Sequence, residues 1–405
     1  MGDKQKAGYE VADILRKYLP AYRSKHKLSY EQHQAVNAIM ACRTPALGGV
    51  LLACDHCGHL DFMYKSCKNR HCPKCGSFQK AQWLEAQKLW VLPIQYFHVV
   101  FTIDHVFNWL VWHNQEALYS LIIEVAARLL KRYGEEYLGG EIGFSMVLHT
   151  WGQTMQAHPH VHFMVTGGAL VSSPDGFRWQ AAKPGYLFPV IKLSQDFKLA
   201  FCADVRKMMD KGSLNTAHGS LDVAGMLAEA LSKDWEVYIQ APQYGVDNLL
   251  DYLARYIFRI AISNHRIVDI QHGKITFEYY DNRQDGKLKL MTLSAEEFIH
   301  RFLLHVLPRR FVRIRHFGLH HPSCRAKLQQ TRLLLGLPFK LPIIAKLILL
   351  DWLKSILKSE TDPRLCPFCQ KGLLLPFRPL APFSGWRITI PWFVKTFLRC
   401  PLPAI

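Results

Sequence analysis

Acidic residues are scarce in this chain of 405 residues: 32 Asp and Glu stand against 50 Lys and Arg, giving a formal net charge of +18 and a pI near 9.4. A solvated surface does not need that excess, which favours a polyanionic partner, either nucleic acid or an acidic membrane. Further absences argue against the membrane. The opening MGDKQKAGYEVAD carries no apolar signal-peptide core and no myristoylation Ser or Thr. The most apolar run, Leu341 to Leu353, is interrupted by Lys346 and Asp351 and is too short to span a bilayer. No G-x-x-x-x-G-K-[ST] loop occurs, so no built-in helicase is expected, and any strand separation falls to supercoiling, replication or a host motor. Internal repeats are also missing. What is present is globular: 49% apolar and 20% charged residues, enough for two or three domains in a cytoplasmic protein.

The 11 cysteines cluster in C-x-x-C pairs, as in metal knuckles, and cytosolic thiols seldom form lasting disulfides. Cys54 and Cys57 precede Gly58, and Cys72 and Cys75 precede Gly76. The doubled pattern predicts one four-thiolate tetrahedron suited to zinc. Cys67 and His71 lie between the knuckles and could replace one thiolate or belong to a second site. Another pair, Cys366 and Cys369, reads as a zinc half-site with Cys324, His320, His321 and Cys400 as candidate partners.

The expected fold class is α+β, in three parts. Residues 1–92 form a helical, zinc-binding and DNA-binding domain with helices at Tyr9 to Tyr18, Tyr30 to Met40 and Phe78 to Trp90. Residues 93–293 combine strands at Tyr96 to Thr102, Ile142 to Trp151 and His160 to Thr166 with helices at Asn114 to Arg132 and Leu193 to Met209. A helix from Val246 to Arg259 follows, then strands at Ile267 to Ile270, Lys274 to Tyr280 and Lys287 to Thr292. Residues 294–405 are basic. There PRRFVRIRH, Pro308 to His316, alternates cations with apolar residues, which suits a strand laid on a DNA backbone or simply a half-buried strand with a solvated face.

Two patterns carry chemistry. HPHVHFMV places His160 and His162 on one face of a strand and Val161 and Phe163 on the other. Two neutral imidazoles side by side make half a divalent-metal site. Later, YLARY sets Tyr252 and Tyr256 four apart on a helix, so both phenols share a face, with Arg255 and Arg259 on the same helix. A phenol with pKa about 10 is a weak nucleophile unless nearby cations lower the cost of the phenolate. Taken singly, such histidines and tyrosines are more often core residues; together they suit cleavage of DNA through a phosphotyrosine link.

HTWGQ (His149 to Gln153), HPHVH, Gly167-Gly168, YLARYIFRIAISN and SCKNRHCPKCG together resemble the insertion-sequence ninety-one family of HUH-type, two-tyrosine, rolling-circle transposases, from about residue 30 to 330. The resemblance implies a zinc-binding N-terminal domain and an HUH nuclease palm, an antiparallel sheet with helices. It implies that His160 and His162 bind the catalytic metal, that Tyr252 and Tyr256 are nucleophiles, and that Arg255 and Arg259 are their basic partners. A third ligand is usual in HUH nucleases. Gln153 is preferred, since a hairpin can bring it back beside the doublet; His158 is the alternative by strand parity, and His149 stands behind both. Phosphoryl transfer favours Mg²⁺ or Mn²⁺. The expected activity is nicking and rejoining of single-stranded DNA at insertion-sequence ends, in a bacterial, nucleoid-associated protein. Other readings are a plasmid replication initiator or relaxase using the same chemistry, and a zinc-dependent DNA-binding regulator with none.

Overall fold

A computed structural model describes residues 8–87, 91–216, 221–243, 260–281, 284–338, 348–357 and 362–383. The N-terminal part holds α1 (Val11–Arg23), α2 (Tyr30–Ala41), β1 (Gly49–Cys54), β2 (Leu60–Tyr64) and α3 (Ser77–Gln87). The middle runs β3 (Tyr96–Thr102), α4 (Asn108–His113), α5 (Gln115–Leu138), β4 (Gly143–Trp151), β5 (Ala157–Thr166), β6 (Gly168–Ser173), β7 (Gly176–Ala181), α6 (Val190–Asp210), α7 (Val223–Ser232) and β8 (Val237–Gln243). Then come β9 (Ile267–Gln271), β10 (Lys274–Asp281), β11 (Lys287–Ser294), α8 (Ala295–Leu304), β12 (Ile314–Gly318), α9 (Arg325–Leu334), α10 (Leu349–Leu357) and β13 (Leu374–Leu380). The class is mixed α/β, and no helix of the described residues is long and apolar enough to cross a membrane.

A five-stranded antiparallel sheet, ordered β12-β4-β5-β3-β8, positions the site. Period-two alternation sends Phe97, Val99 and Phe101 of β3, Phe144, Met146 and Leu148 of β4, and Val161, Phe163 and Val165 of β5 to one face. That face is closed by α5, whose Leu118, Ile122, Val125, Leu129 and Tyr133 recur at helical spacing, and by Phe197 and Phe201 of α6. Each fully buried aromatic there stabilises the fold by about 1.5–3 kcal/mol. The helix α5 ends at Gly139, whose φ of +72° forms the left-handed cap.

A second core is built from segments far apart in sequence. Val11, Ile14, Leu15 and Leu19 of α1 and Val36 and Ile39 of α2 pack with Ile275 and Phe277 of β10, Phe298, Ile299 and Phe302 of α8, and Met155 from the β4–β5 turn. Polar links reinforce it: the Val11 amide donates to Asn264 Oδ1 at 3.2 Å, and the Gln32 side-chain amide nitrogen to the Leu303 carbonyl at 3.1 Å. Two N-caps help set the helices, Ser29 bonding the Gln32 amide and Ser294 the Glu297 amide.

The strand expected over Pro308 to His316 is confined to its end. Residues 308–311 form a turn with Arg310 at φ +61°, closed by the Phe311 amide on the Pro308 carbonyl. Arg70 captures the carbonyls of Phe311 at 2.7 Å and Pro308 at 2.8 Å, which holds the chain in that turn. The helix expected over Val246 to Arg259 lies outside the described residues.

Candidate metal centre

The sheet face opposite the aromatic core carries histidines. His149 of β4 pairs directly with His160 of β5, so the two share a face across the ladder, and His162 lies two residues along. One ligand nitrogen from each of His149, His160 and His162 falls within 4.8 Å of the others. Ring centroids are 5.4 Å apart for His149–His160, 4.5 Å for His149–His162 and 4.8 Å for His160–His162.

Hydrogen bonds fix which nitrogens are offered. His160 donates Nδ1–H to the His158 carbonyl at 2.6 Å, which leaves Nε2 as the lone-pair donor. His98 Nδ1 lies 3.4 Å from Gln240 Oε1, and His98 Nε2 lies 2.8 Å from His162 Nδ1. A carbonyl oxygen only accepts, so His98 carries its proton on Nδ1 and accepts at Nε2 from His162 Nδ1–H. His162 therefore also presents Nε2. Burial pushes His160 down to about 3 and His98 to about 4, so both imidazoles stay neutral at physiological pH, as metal ligation requires.

The hairpin turn beyond the histidines is clamped by the second core. It spans Gly152 to Gln156, with Met155 buried at φ +58°. Three successive carbonyls accept side-chain donors: Gln153 from Arg266 at 2.6 Å, Thr154 from Arg301 at 3.1 Å and Met155 from His305 Nε2 at 2.9 Å. Beside it, Trp151 stacks on His149 with centroids 4.9 Å apart and lies under the Arg313 guanidinium at 5.1 Å.

His160 and His162 thus come together as strand parity predicts. The third histidine is His149, the candidate placed behind Gln153 and His158. His158 stands outside the cluster: it is exposed at the start of β5 and contributes its carbonyl to orient His160. A register shift between His149 and Trp151 separates the turn holding Gln153 from the regular alternation. Sequence reasoning missed His98 and Gln240 altogether, because cross-strand neighbours three strands wide leave no local signal. Tyr252, Arg255, Tyr256 and Arg259 lie outside the described residues. On their flanks, Gln243 pairs with Tyr96, and Ile260 and Ala261 line a small cavity with Trp151, His305 and Arg313.

The cysteines require a correction. Cys54, Cys57, Cys72 and Cys75 do not form one tetrahedron. Cys72 and Cys75 converge with Cys42 and Cys67, whereas Cys54 and Cys57 converge with Cys366 and Cys369. The first knuckle forms the turn of the β1–β2 hairpin, so β2 runs between the two knuckles and carries one away from the other. In the first quartet Cys42–Cys75 and Cys67–Cys75 sulfurs are 3.3 and 3.6 Å apart, and the Cys67 and Asn69 amides point at the sulfurs of Cys42 and Cys67. A tetrahedral zinc with bonds near 2.3 Å needs sulfurs about 3.8 Å apart, so this donor set fits structural zinc. His71 is not a ligand: it is held down to about 3 by burial, and its Nε2 accepts from the Leu307 amide at 3.4 Å. His320 bonds Ser145 Oγ and Cys324 faces Glu141, so neither joins Cys366 and Cys369; Cys400 lies outside the described residues.

A family described as "Transposase zinc-binding domain" matches residues 14–103, and one described as "Putative transposase" matches residues 143–327. The chain is 43% identical to "Putative transposase y4qJ" of Sinorhizobium fredii over 382 residues, covering 91% of this chain and 95% of that protein. It is 26% identical over 292 residues to the transposase for insertion sequence element IS801 of Pseudomonas savastanoi pv. phaseolicola, covering 70% of this chain and 69% of the relative. No solved structure matches it significantly. A zinc-type cysteine quartet in the N-terminal part, a sheet bearing three clustered histidines, and full-length similarity to transposases lead to one assignment: the chain belongs to the insertion-sequence ninety-one family of transposases.

Proposed function

We propose that this transposase nicks and rejoins single-stranded DNA through 5′-phosphotyrosine intermediates, in rolling-circle transposition of an insertion sequence. The observation that carries the reading is the His149–His160–His162 cluster, with His160 and His162 held by neighbouring acceptors so that each offers Nε2. Three imidazoles on one sheet face fit a divalent cation with positions left for water and phosphate oxygen, and Mn²⁺ suits nitrogen donors better than Mg²⁺. Such a cation, when bound, draws charge from the non-bridging oxygens of a scissile phosphate.

The rest of the chemistry belongs to the chain. Tyr252 or Tyr256 attacks phosphorus in line; its phenol gives up a proton as the tyrosyl O–P bond forms. The P–O3′ bond breaks, and the departing 3′ oxygen takes up a proton. Arg255 and Arg259 stabilise the phenolate, and Arg313, over the Trp151 ring, adds positive charge near the scissile group. The bond energy stays in the phosphotyrosine, so a 3′-hydroxyl can reverse the step without ATP. The second tyrosine accepts the other strand end before the first link is resolved. The described flanks of the tyrosine segment favour this assignment: Gln243 pairs with Tyr96 in the sheet, and Ile260 lines one small cavity with the tryptophan that stacks on His149.

The test is incubation of the protein with labelled single-stranded DNA and Mn²⁺ or Mg²⁺, followed by peptide mapping of the covalent adduct. Adducts are expected at Tyr252 or Tyr256 and absent with chelator. The variant with both tyrosines changed to Phe should bind DNA yet form no adduct; cleavage at wild-type rate by that variant refutes the nucleophile assignment.

A further inference from the structure

Cys54 and Cys57 sit at the end of β1 and in the turn after it, whereas Cys366 and Cys369 lie more than 300 residues later, beyond both stretches that match transposase families. We propose that these four cysteines bind a second zinc ion, which staples the C-terminal hairpin to the N-terminal domain. This site is separate from the Cys42–Cys67–Cys72–Cys75 quartet and independent of the nuclease reading.

Distance is the first argument. The Cys54–Cys369 and Cys57–Cys366 sulfurs are 3.7 and 3.8 Å apart. Sulfurs on a tetrahedral zinc with 2.3 Å bonds lie about 3.8 Å apart, while a disulfide needs about 2.05 Å. All four thiols are free, and no other described Cys, His, Asp or Glu joins the group.

The surroundings are the second argument. Amides of His56 and Cys57 point at Cys54 Sγ at 3.4 and 3.5 Å, and the Gly372 amide at Cys369 Sγ at 3.5 Å, an arrangement that stabilises thiolates. Only glycine fits at position 372: a Cβ there would lie 2.6 Å from Cys54 Sγ. The two knuckles also interlock through polar bonds. Asp55 Oδ1 accepts from the Leu373 amide at 2.7 Å, and the Asp55 amide donates to the Leu373 carbonyl at 3.1 Å. His59 of one knuckle stacks on Phe368 of the other, centroids 5.5 Å apart and planes 7° off parallel. Directly beyond, β13 pairs with β1 from Cys54↔Leu374 to Gly49↔Leu380 and completes a three-stranded sheet with β2. On binding, the thiols ligate as thiolates and their protons pass to solvent; no oxidant is involved.

Two measurements on the full-length protein test this. Zinc released by a thiol-modifying reagent should amount to two sulfur-bound equivalents per chain, falling to one in the C366S/C369S variant. Alkylation mapped by mass spectrometry on the unmutated protein needs no variant. Cys54, Cys57, Cys366 and Cys369 should be protected together, then become labelled together when a strong chelator is added, whereas Cys324 labels throughout. Unchanged sulfur-bound zinc in C366S/C369S overturns the proposal. So does labelling of Cys366 and Cys369 while Cys54 and Cys57 stay protected, or recovery of a Cys54–Cys369 disulfide peptide from freshly reduced, zinc-loaded protein.

Discussion

Replacing His305 by leucine should damage both the second core and the metal centre that leans on it. His305 is buried, donates Nε2–H to the Met155 carbonyl at 2.9 Å, and accepts at Nδ1 from the Thr150 hydroxyl at 3.1 Å. Thr150 also hydrogen-bonds Tyr119, so the four groups form one directed chain. Leucine strands a buried carbonyl and a buried hydroxyl, each at about 1–3 kcal/mol, and recovers part of that through apolar burial. A net loss of about 3 kcal/mol is expected, lowering the melting temperature by roughly 3–4 °C in a calorimetric or fluorescence scan. Adding Thr150→Val together with Tyr119→Phe removes the stranded hydroxyls as a set, so the triple variant should melt no lower than the single. The histidine also leaves a pH signature. Burial depresses it from the ordinary 6.5 to about 4, so between those values the unfolded chain binds the extra proton. Stability from this group is complete above pH 6.5 and is lost as pH falls towards 4, at up to about 1.4 kcal/mol per unit. His305→Leu should therefore flatten, without abolishing, the acid limb, since buried His71 and His320 titrate the same way. A variant melting within a degree or two of the parent, with an unaltered acid limb, refutes the argument.

The metal centre yields two further expectations. His149→Ala should weaken Mn²⁺ binding, read by calorimetry or electron paramagnetic resonance, far more than His158→Ala, because only His149 joins the cluster; equal effects would refute the assignment of the third ligand. His98→Ala should cost about 10–100-fold in Mn²⁺ affinity without touching a ligand, by freeing the His162 ring. His98→Gln should recover part of that loss, since an amide oxygen can accept from Nδ1–H; no recovery would point to a packing role alone.

Local patterns revealed the strands and helices, because each segment's period is written in its own residues. The strand at Tyr96–Thr102 and the helix at Tyr30–Ala41 fall within a residue of the segments expected at Tyr96 to Thr102 and Tyr30 to Met40. The His160–His162 doublet is legible for the same reason. Register is not: nothing near His149 in the sequence announces that it sits opposite His160, or that His98 reaches His162 from the neighbouring strand. The cysteine assignment failed similarly. Nearest-neighbour pairing joins Cys54 and Cys57 to Cys72 and Cys75, but β2 runs between them, and the pairing of β13 with β1 brings Cys366 and Cys369 alongside instead. Likewise Met155, in the β4–β5 turn, is fully buried because α8 and β10 arrive from more than a hundred residues downstream.

The pairing of β1 with both β2 and β13 has a consequence for how the protein is made. β2 emerges from the ribosome almost at once, but Leu374 follows Cys54 by 320 residues. At about 5–20 residues per second the outer edge of β1 waits roughly 16–64 s for its partner. Throughout that interval the nascent chain shows an open strand edge and two idle thiols, an invitation to mispairing. A truncated product never closes that edge, so only a translation that runs to the C-terminal knuckle can leave the N-terminal hairpin finished.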